Sequence, residues 1–284
     1  MRLRIKQLGF VTVFIFLLCQ IGSAGQKLHY NFEKGKTYKY STTVESKTSG
    51  QSGGQEFSVT SGADLVYSIS LLSADAGVIT LKAQFEKFNV KLNMPMMGFN
   101  DSTIAMNEYI GKRIKMVITE KGKTLSVEPI DTIPPSRVQM MAGLTPSDLF
   151  KQILLELPEK AVDVNDSWKK ENPDTMARNG MKMIIKHNID CKIVGTEKKN
   201  EMNCWKIALS GTSTIEGSGN QRGTDVTIDG TVKINGSVYF APAEGVSVLS
   251  EQTSETEMTT TVTGSQTGAT TLTISTTAKS MLIK

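Results

Sequence analysis

Between residues 57 and 71 the odd positions read Phe57, Val59, Ser61, Ala63, Leu65, Tyr67, Ile69 and Leu71, while the even ones are mostly Ser, Thr, Gly and Asp. That is the period of a strand with one buried face. A turn at residues 73–77 follows, and the odd phase resumes through Ile79, Leu81, Ala83 and Phe85 before switching to Phe88, Val90 and Leu92. A one-residue phase slip of this kind predicts a β-bulge near Glu86 and Lys87. Met181, Met183, Ile185, His187, Ile189, Cys191 and Ile193 make a second alternation, and Trp205, Ile207, Leu209 and Ile215 continue it after a turn at residues 196–200.

The longest pattern runs over residues 225–240, whose even positions are Val226, Ile228, Gly230, Val232, Ile234, Gly236, Val238 and Phe240. Sixteen residues in one register far exceed the usual strand of about 5 to 6. Gly230 and Gly236 lie on the apolar face, where they let a long strand bend, as a curved or partly closed sheet requires. The Thr-rich tail from Thr253 alternates Leu272, Ile274 and Ala278 with Thr271, Thr273, Ser275 and Thr277. Thr favours strands, so the tail reads as a solvated hairpin.

One helix is expected, at about residues 146–157. Thr145 would be its N-cap and Pro146 its first residue, with Leu149, Phe150, Ile153, Leu154 and Leu157 on one face until Pro158. The fold class that follows is mainly β: a strongly curved antiparallel sheet or half-barrel, with this helix as a lid over its concave face. Residues 25–284 would form this single domain.

The first twenty-four residues stand apart. Arg2, Arg4 and Lys6 precede an apolar run from Leu8 to Leu18, and Gly22, Ser23 and Ala24 supply small residues for a peptidase. This is the layout of a signal peptide, which makes the protein secreted or periplasmic. Lipid anchoring at Cys19 is the alternative, disfavoured by the bulky Leu18 before it. No apolar run approaches the roughly 20 residues of a membrane-spanning helix. Without the segment's three basic residues, 29 basic side chains face 28 acidic ones. No basic stripe remains that would suit a nucleic acid.

"KGKTYKY" (residues 34–40), "GKRIKMVITEKGKTLSV" (111–127), "LPEKAVDVNDSW" (157–168) and "GSVYFAPAEGVSV" (236–248) together resemble an exported bacterial family known only as a domain of unknown function. Such proteins are similar in layout to lipoprotein-carrier half-barrels. The resemblance implies a curved sheet lidded by helices over an apolar cavity, and it brings no catalytic or binding residues.

The chain holds only two histidines, His29 and His187, and none of the motifs of a metalloprotease, a redox dithiol, a nucleophile elbow or a phosphate loop. His187 reads as a satisfied core histidine. "GSGNQRG" (217–223) reads as a hairpin loop. Asp163, Asn165 and Asp166 lack the glycine and glutamate of an EF-hand and read as a turn. Met94, Met96, Met97, Met106, Met116, Met140 and Met141 are concentrated in one segment. Thioethers suit a core, an adaptable apolar pocket or Cu(I). Cys191 and Cys204 are a candidate disulfide, although matching the apolar faces puts Cys191 inward and Cys204 outward beside Lys206.

The sequence therefore points to a protein without enzymatic activity, cofactor or metal. It would be a binding or carrier module for an apolar small molecule or lipid, lined by Met140, Met141, Leu149, Phe150 and Ile153 against Ile228, Val232 and Ile234. The alternative is a structural component of the cell envelope that meets another protein. A hydrolase would need carboxylates brought together only in three dimensions.

Overall fold

The computed structural model describes residues 25–52, 54–95, 98–133, 146–151, 153–171, 173–178, 181–221, 224–264 and 267–283. The expected signal peptide (residues 1–24) with Cys19, the expected N-cap Thr145, and Met96, Met97, Met140 and Met141 lie outside the described residues. The strands are β1 (Thr37–Ser52), β2 (Gln55–Asp75), β3 (Val78–Met94), β4 (Phe99–Ala105), β5 (Arg113–Thr119), β6 (Thr124–Pro129), β7 (Ser167–Lys170), β8 (Asp174–Arg178), β9 (Met181–Lys199), β10 (Met202–Gln221), β11 (Thr224–Ala241), β12 (Val246–Thr263) and β13 (Gly268–Leu282). All join one sheet in the order β6-β5-β3-β2-β1-β13-β12-β11-β10-β9-β7, with β4 also on β3 and β8 also on β9. Every ladder is antiparallel, and β6 and β7 leave the sheet open.

Alternation in the sequence maps directly onto these ladders. The expected bulge is present: Val66 pairs with Lys87 and Tyr67 with Phe85, leaving Glu86 as the extra residue. β11 is 18 residues long and keeps one register against β10 from Thr224 to Phe240, and the Thr-rich tail forms the β12–β13 hairpin, whose second strand pairs with β1. Left-handed turns at Ala76-Gly77 and Asn200-Glu201 join β2 to β3 and β9 to β10. These are the two-residue connections that suit the right-handed twist of hairpins.

The sheet is strongly curled. Tyr30 donates its backbone N–H to the Glu120 carbonyl at the β5–β6 turn, and the next residue, Asn31, donates to Gly245 at the β11–β12 turn. Those strands are six positions apart in the sheet, about 29 Å if it were flat. Adjacent residues can reach both only because the sheet folds round. Residues 25–33 thus form a strap across one end, with Leu28, Tyr30 and Phe32 buried beneath it. Gln26 pairs with Val162, and the buried Lys121 donates from Nζ to the Leu28 carbonyl at 2.7 Å. Under the strap the trough is filled by an aromatic core, in which Phe150 meets Tyr67 edge-on and lies 4.9 Å from the Phe85 ring centroid.

The lid departs from expectation. The helix covers only Pro146–Phe150, and residues 153–157 cross the trough without helical structure. Backbone groups that a longer helix would use are committed elsewhere. The carbonyl of Lys151 accepts from Thr124, that of Leu155 from Tyr30 and that of Glu156 from the Trp168 indole, while the Leu157 amide donates to Lys121. Amphipathic spacing favours a helix only weakly at this length, because nucleation is costly, and these tertiary bonds prevail.

Inner-face glycines allow the curl. A Cβ on Gly236 would lie 2.4 Å from the Glu251 carbonyl, and one on Gly211 would lie 2.2 Å from that of Asn188. Gly236→Ala is expected to destabilise the protein by about 1–3 kcal/mol, the usual cost of overpacking. Gly268→Ala, whose Cβ meets nothing within 4 Å, should leave the urea midpoint nearly unchanged. Equal midpoints for the two variants would show that the sheet does not need the close approach at Gly236.

Candidate functional site

Inward side chains stack in rungs across the long strands. One rung passes from Ile193 through Ile207, Val238, Ser250 and Ser280 to Thr42. The next runs through Cys191, Leu209, Gly236, Gln252 and Ala278, and the one beyond through Ile189, Gly211, Ile234, Ser254 and Thr276. Then comes His187, Ser213, Val232, Thr256 and Ile274. Aliphatic residues dominate on β9 to β11. Hydroxyls dominate on β12, β13 and β1.

Below the aromatic core these rungs surround a cavity of about 140 Å³. Tyr40, Tyr67 and Ile69 border it on one side, His187, Ile189 and Cys191 on the opposite one, and Ile153 to Glu156 cross above. Its walls are apolar, with polar groups set among them. Tyr40 donates to the Ser247 carbonyl at 3.1 Å, Thr42 to Ser280 Oγ at 2.7 Å, and Gln252 Nε2 to Ser250 Oγ at 3.0 Å. Burial pushes the Tyr30 phenol up to about 12 and raises Tyr40 and Tyr67 as well.

At the cavity's lower border His187 is held on both sides. Nδ1 lies 2.9 Å from Ser213 Oγ, and Nε2 lies 2.9 Å from Asp174 Oδ2. Spacing alone does not reveal this trio, since its members come from β8, β9 and β10. The residue types are those of a hydrolytic relay, but Ser213 is 2% exposed in mid-strand and does not border the cavity. Its backbone belongs to the ladders, so no pair of free N–H groups is presented as an oxyanion hole. The arrangement satisfies a buried histidine and ties edge strand β8 to the inner face.

Of the residues expected to line a pocket, Ile153 and Ile234 border the cavity. Leu149 and Phe150 instead belong to the aromatic core, Phe150 fully so. Ile228 and Val232 lie on the same inner face farther down and are half-buried. Met106 and Met116 are core residues. Among the described residues no three His, Cys, Asp or Glu side chains converge as metal ligands. Asp163 and Asp166 close a turn before β7, through the Asp163 amide bonded to Asp166 Oδ2.

Cys191 and Cys204 are free thiols. Cys191 sits opposite Leu209, five residues along β10 from Cys204, so their Cα atoms are separated by about 17 Å along the strand. A disulfide bridges no more than about 7 Å. Cys204 keeps the outward parity of Lys206 yet is completely buried.

No helix among the described residues is long and apolar enough to cross a membrane. The convex face carries ion pairs such as Lys186–Glu216 and Lys279–Glu251.

No family model and no curated protein matches the chain. Among solved structures, two mutants of the porin of Rh. blastica are similar at 8% identity over 87% of this chain and 99% of theirs, with TM-scores of 0.23 and 0.21. A DUF1329 family protein from Desulfovibrio piger is similar at 12% identity over 84% of this chain and 83% of its own, with a TM-score of 0.15. TM-scores this low do not establish a common fold.

Two outcomes follow from the site's chemistry. Burial raises Cys191 to about 12 and lifts Cys204 too, so in a chain beginning at Gly25 a thiol reagent should find no reactive group in the native protein and two after unfolding without reductant. The Asp174 carboxyl is held below its ordinary 3.8 by its hydrogen bond to His187, aided by Lys170. A depressed carboxylate contributes stability above its unfolded pKa and loses it as pH falls through the folded value. The stability lost in Asp174→Asn should therefore be largest near neutrality and shrink below about pH 4, as read by urea unfolding at a series of pH values.

Proposed function

We propose that the protein is an exported, non-catalytic binding module for an apolar or amphiphilic small molecule held on the concave face. One observation carries this reading: the concave face passes from filled core, through a cavity, to an open trough of half-buried aliphatic side chains. Ile185, Ile215, Val232, Met258, Leu272 and Ile274 share that face and are half-buried. Contiguous apolar surface left open in this way marks interaction sites. Export rests on the charged, apolar and small-residue pattern of residues 1–24.

A second reading, an envelope component that meets another protein, is favoured by the Ser/Thr-rich strand ends that extend beyond the core. Ligand extraction separates the two. The purified protein would be treated with organic solvent, the extract examined by mass spectrometry, and the stripped protein titrated with a fluorescent acyl probe. Saturable probe binding that is weakened in Ile234→Trp, with the fold retained by circular dichroism, supports the binding module. If no ligand is extracted, no probe binds and Ile234→Trp costs about 1–3 kcal/mol of stability by overpacking, the concave face is structural.

A further inference from the structure

We infer that the ligand is a single-chain amphiphile whose head is a neutral, hydroxyl-bearing group the size of glycerol, seated in the cavity with its chain along the trough. This rests on the binding reading above. The cavity measures about 140 Å³, far below the roughly 300–1,000 Å³ of sites that enclose a drug-sized ligand. An apolar cavity of about 150 Å³ holds benzene, a molecule with as many non-hydrogen atoms as glycerol. The space therefore takes a head and not a tail.

The polar lining selects the kind of head. Ser250 Oγ accepts from Gln252, while Ser280 Oγ accepts from Thr42 and shares a further hydrogen bond with the Tyr67 hydroxyl at 3.4 Å. The Ser250 hydroxyl keeps its proton to donate and a second lone pair, the Gln252 carbonyl is a further acceptor, and Ser280 retains one remaining hydrogen-bonding position. These groups offer donors and acceptors side by side, which suits vicinal hydroxyls. A carboxylate or a phosphate dianion only accepts.

Charge points the same way. The charged side chains bordering the cavity are Lys170 and Glu156, of opposite sign. Lys170 faces Asp174 at 3.9 Å, so its charge is already countered. An anionic head would lose hydration without gaining a net positive field.

The tail's path continues downward. Beyond the His187–Ser213–Val232 rung come the rungs of Ile185, Ile215 and Leu272 and of Met183 and Ile228. These two steps add about 13 Å of half-buried aliphatic surface, enough to lay down one chain.

The test is competition against a fluorescent acyl probe by three twelve-carbon ligands kept below their aggregation limits: the monoacylglycerol, the fatty acid and the lysophosphatidic acid. The monoacylglycerol should displace the probe on the order of tenfold more effectively than either anion, the scale of one or two hydrogen bonds. Gln252→Leu should bring the three near parity while keeping affinity for the probe. Equal or better displacement by an anion, or an unchanged preference in Gln252→Leu, overturns the neutral head while leaving the binding module intact. Failure of the probe itself to bind removes both.

Discussion

Two consecutive backbone amides, those of Tyr30 and Asn31, hold together sheet regions that a flat arrangement would keep far apart. An open antiparallel sheet twists on its own but does not close over a core. Here the strap supplies what side chains of the sheet alone do not. It buries Leu28, Tyr30 and Phe32 in the mouth of the trough and satisfies backbone groups at two hairpin turns. The Lys121 ammonium, which is buried, ends on the Leu28 carbonyl rather than in water. Glu120 Oε1 lies 3.6 Å from the same ammonium, so the Leu28 carbonyl completes the partners of a cation held at the β5–β6 turn and links the strap to that turn. Everything concave in the molecule follows from that closure.

Glycine and hydroxyl residues then decide how far the curl propagates. At Gly211 and Gly236 the neighbouring strand's carbonyl occupies the space where a Cβ would stand. Farther round, β12, β13 and β1 line the trough with Ser and Thr, which are short and bond one another, as Ser46 does with Thr276 at 3.1 Å. Large apolar side chains in those positions would fill the concavity. Small polar ones keep it open and satisfied, and the same choice places donors beside the cavity.

Much of this was legible in the sequence. Side-chain parity in a strand depends only on counting by two, so the ladders of β2, β9 and β11, the bulge at Glu86 and the inward glycines could all be read from single residues. What depended on distant partners could not. The segment after Phe150 has the spacing of a helix, but Tyr30, Lys121 and Trp168 claim its backbone groups from elsewhere in the chain. His187 was readable as an inward histidine. That Asp174 and Ser213 flank it depends on how β8 and β10 pair with β9, which no local pattern encodes.

The two ends of the molecule therefore differ in how they are stabilised. Beneath the strap, aromatic and aliphatic side chains from both halves of the sheet join in one core, and the strands there are supported from the inner face. Beyond the His187 rung the same strands continue as a single layer, held by their ladders, by hydroxyl pairs and by ion pairs on the convex side such as Lys186–Glu216. Exposed ion pairs of this kind contribute little, and few buried apolar contacts mean a lower free energy of local opening. A ligand in the trough would supply the missing inner layer. Binding and ordering of the strand ends would then be one process, with the cavity as the fixed point from which it proceeds.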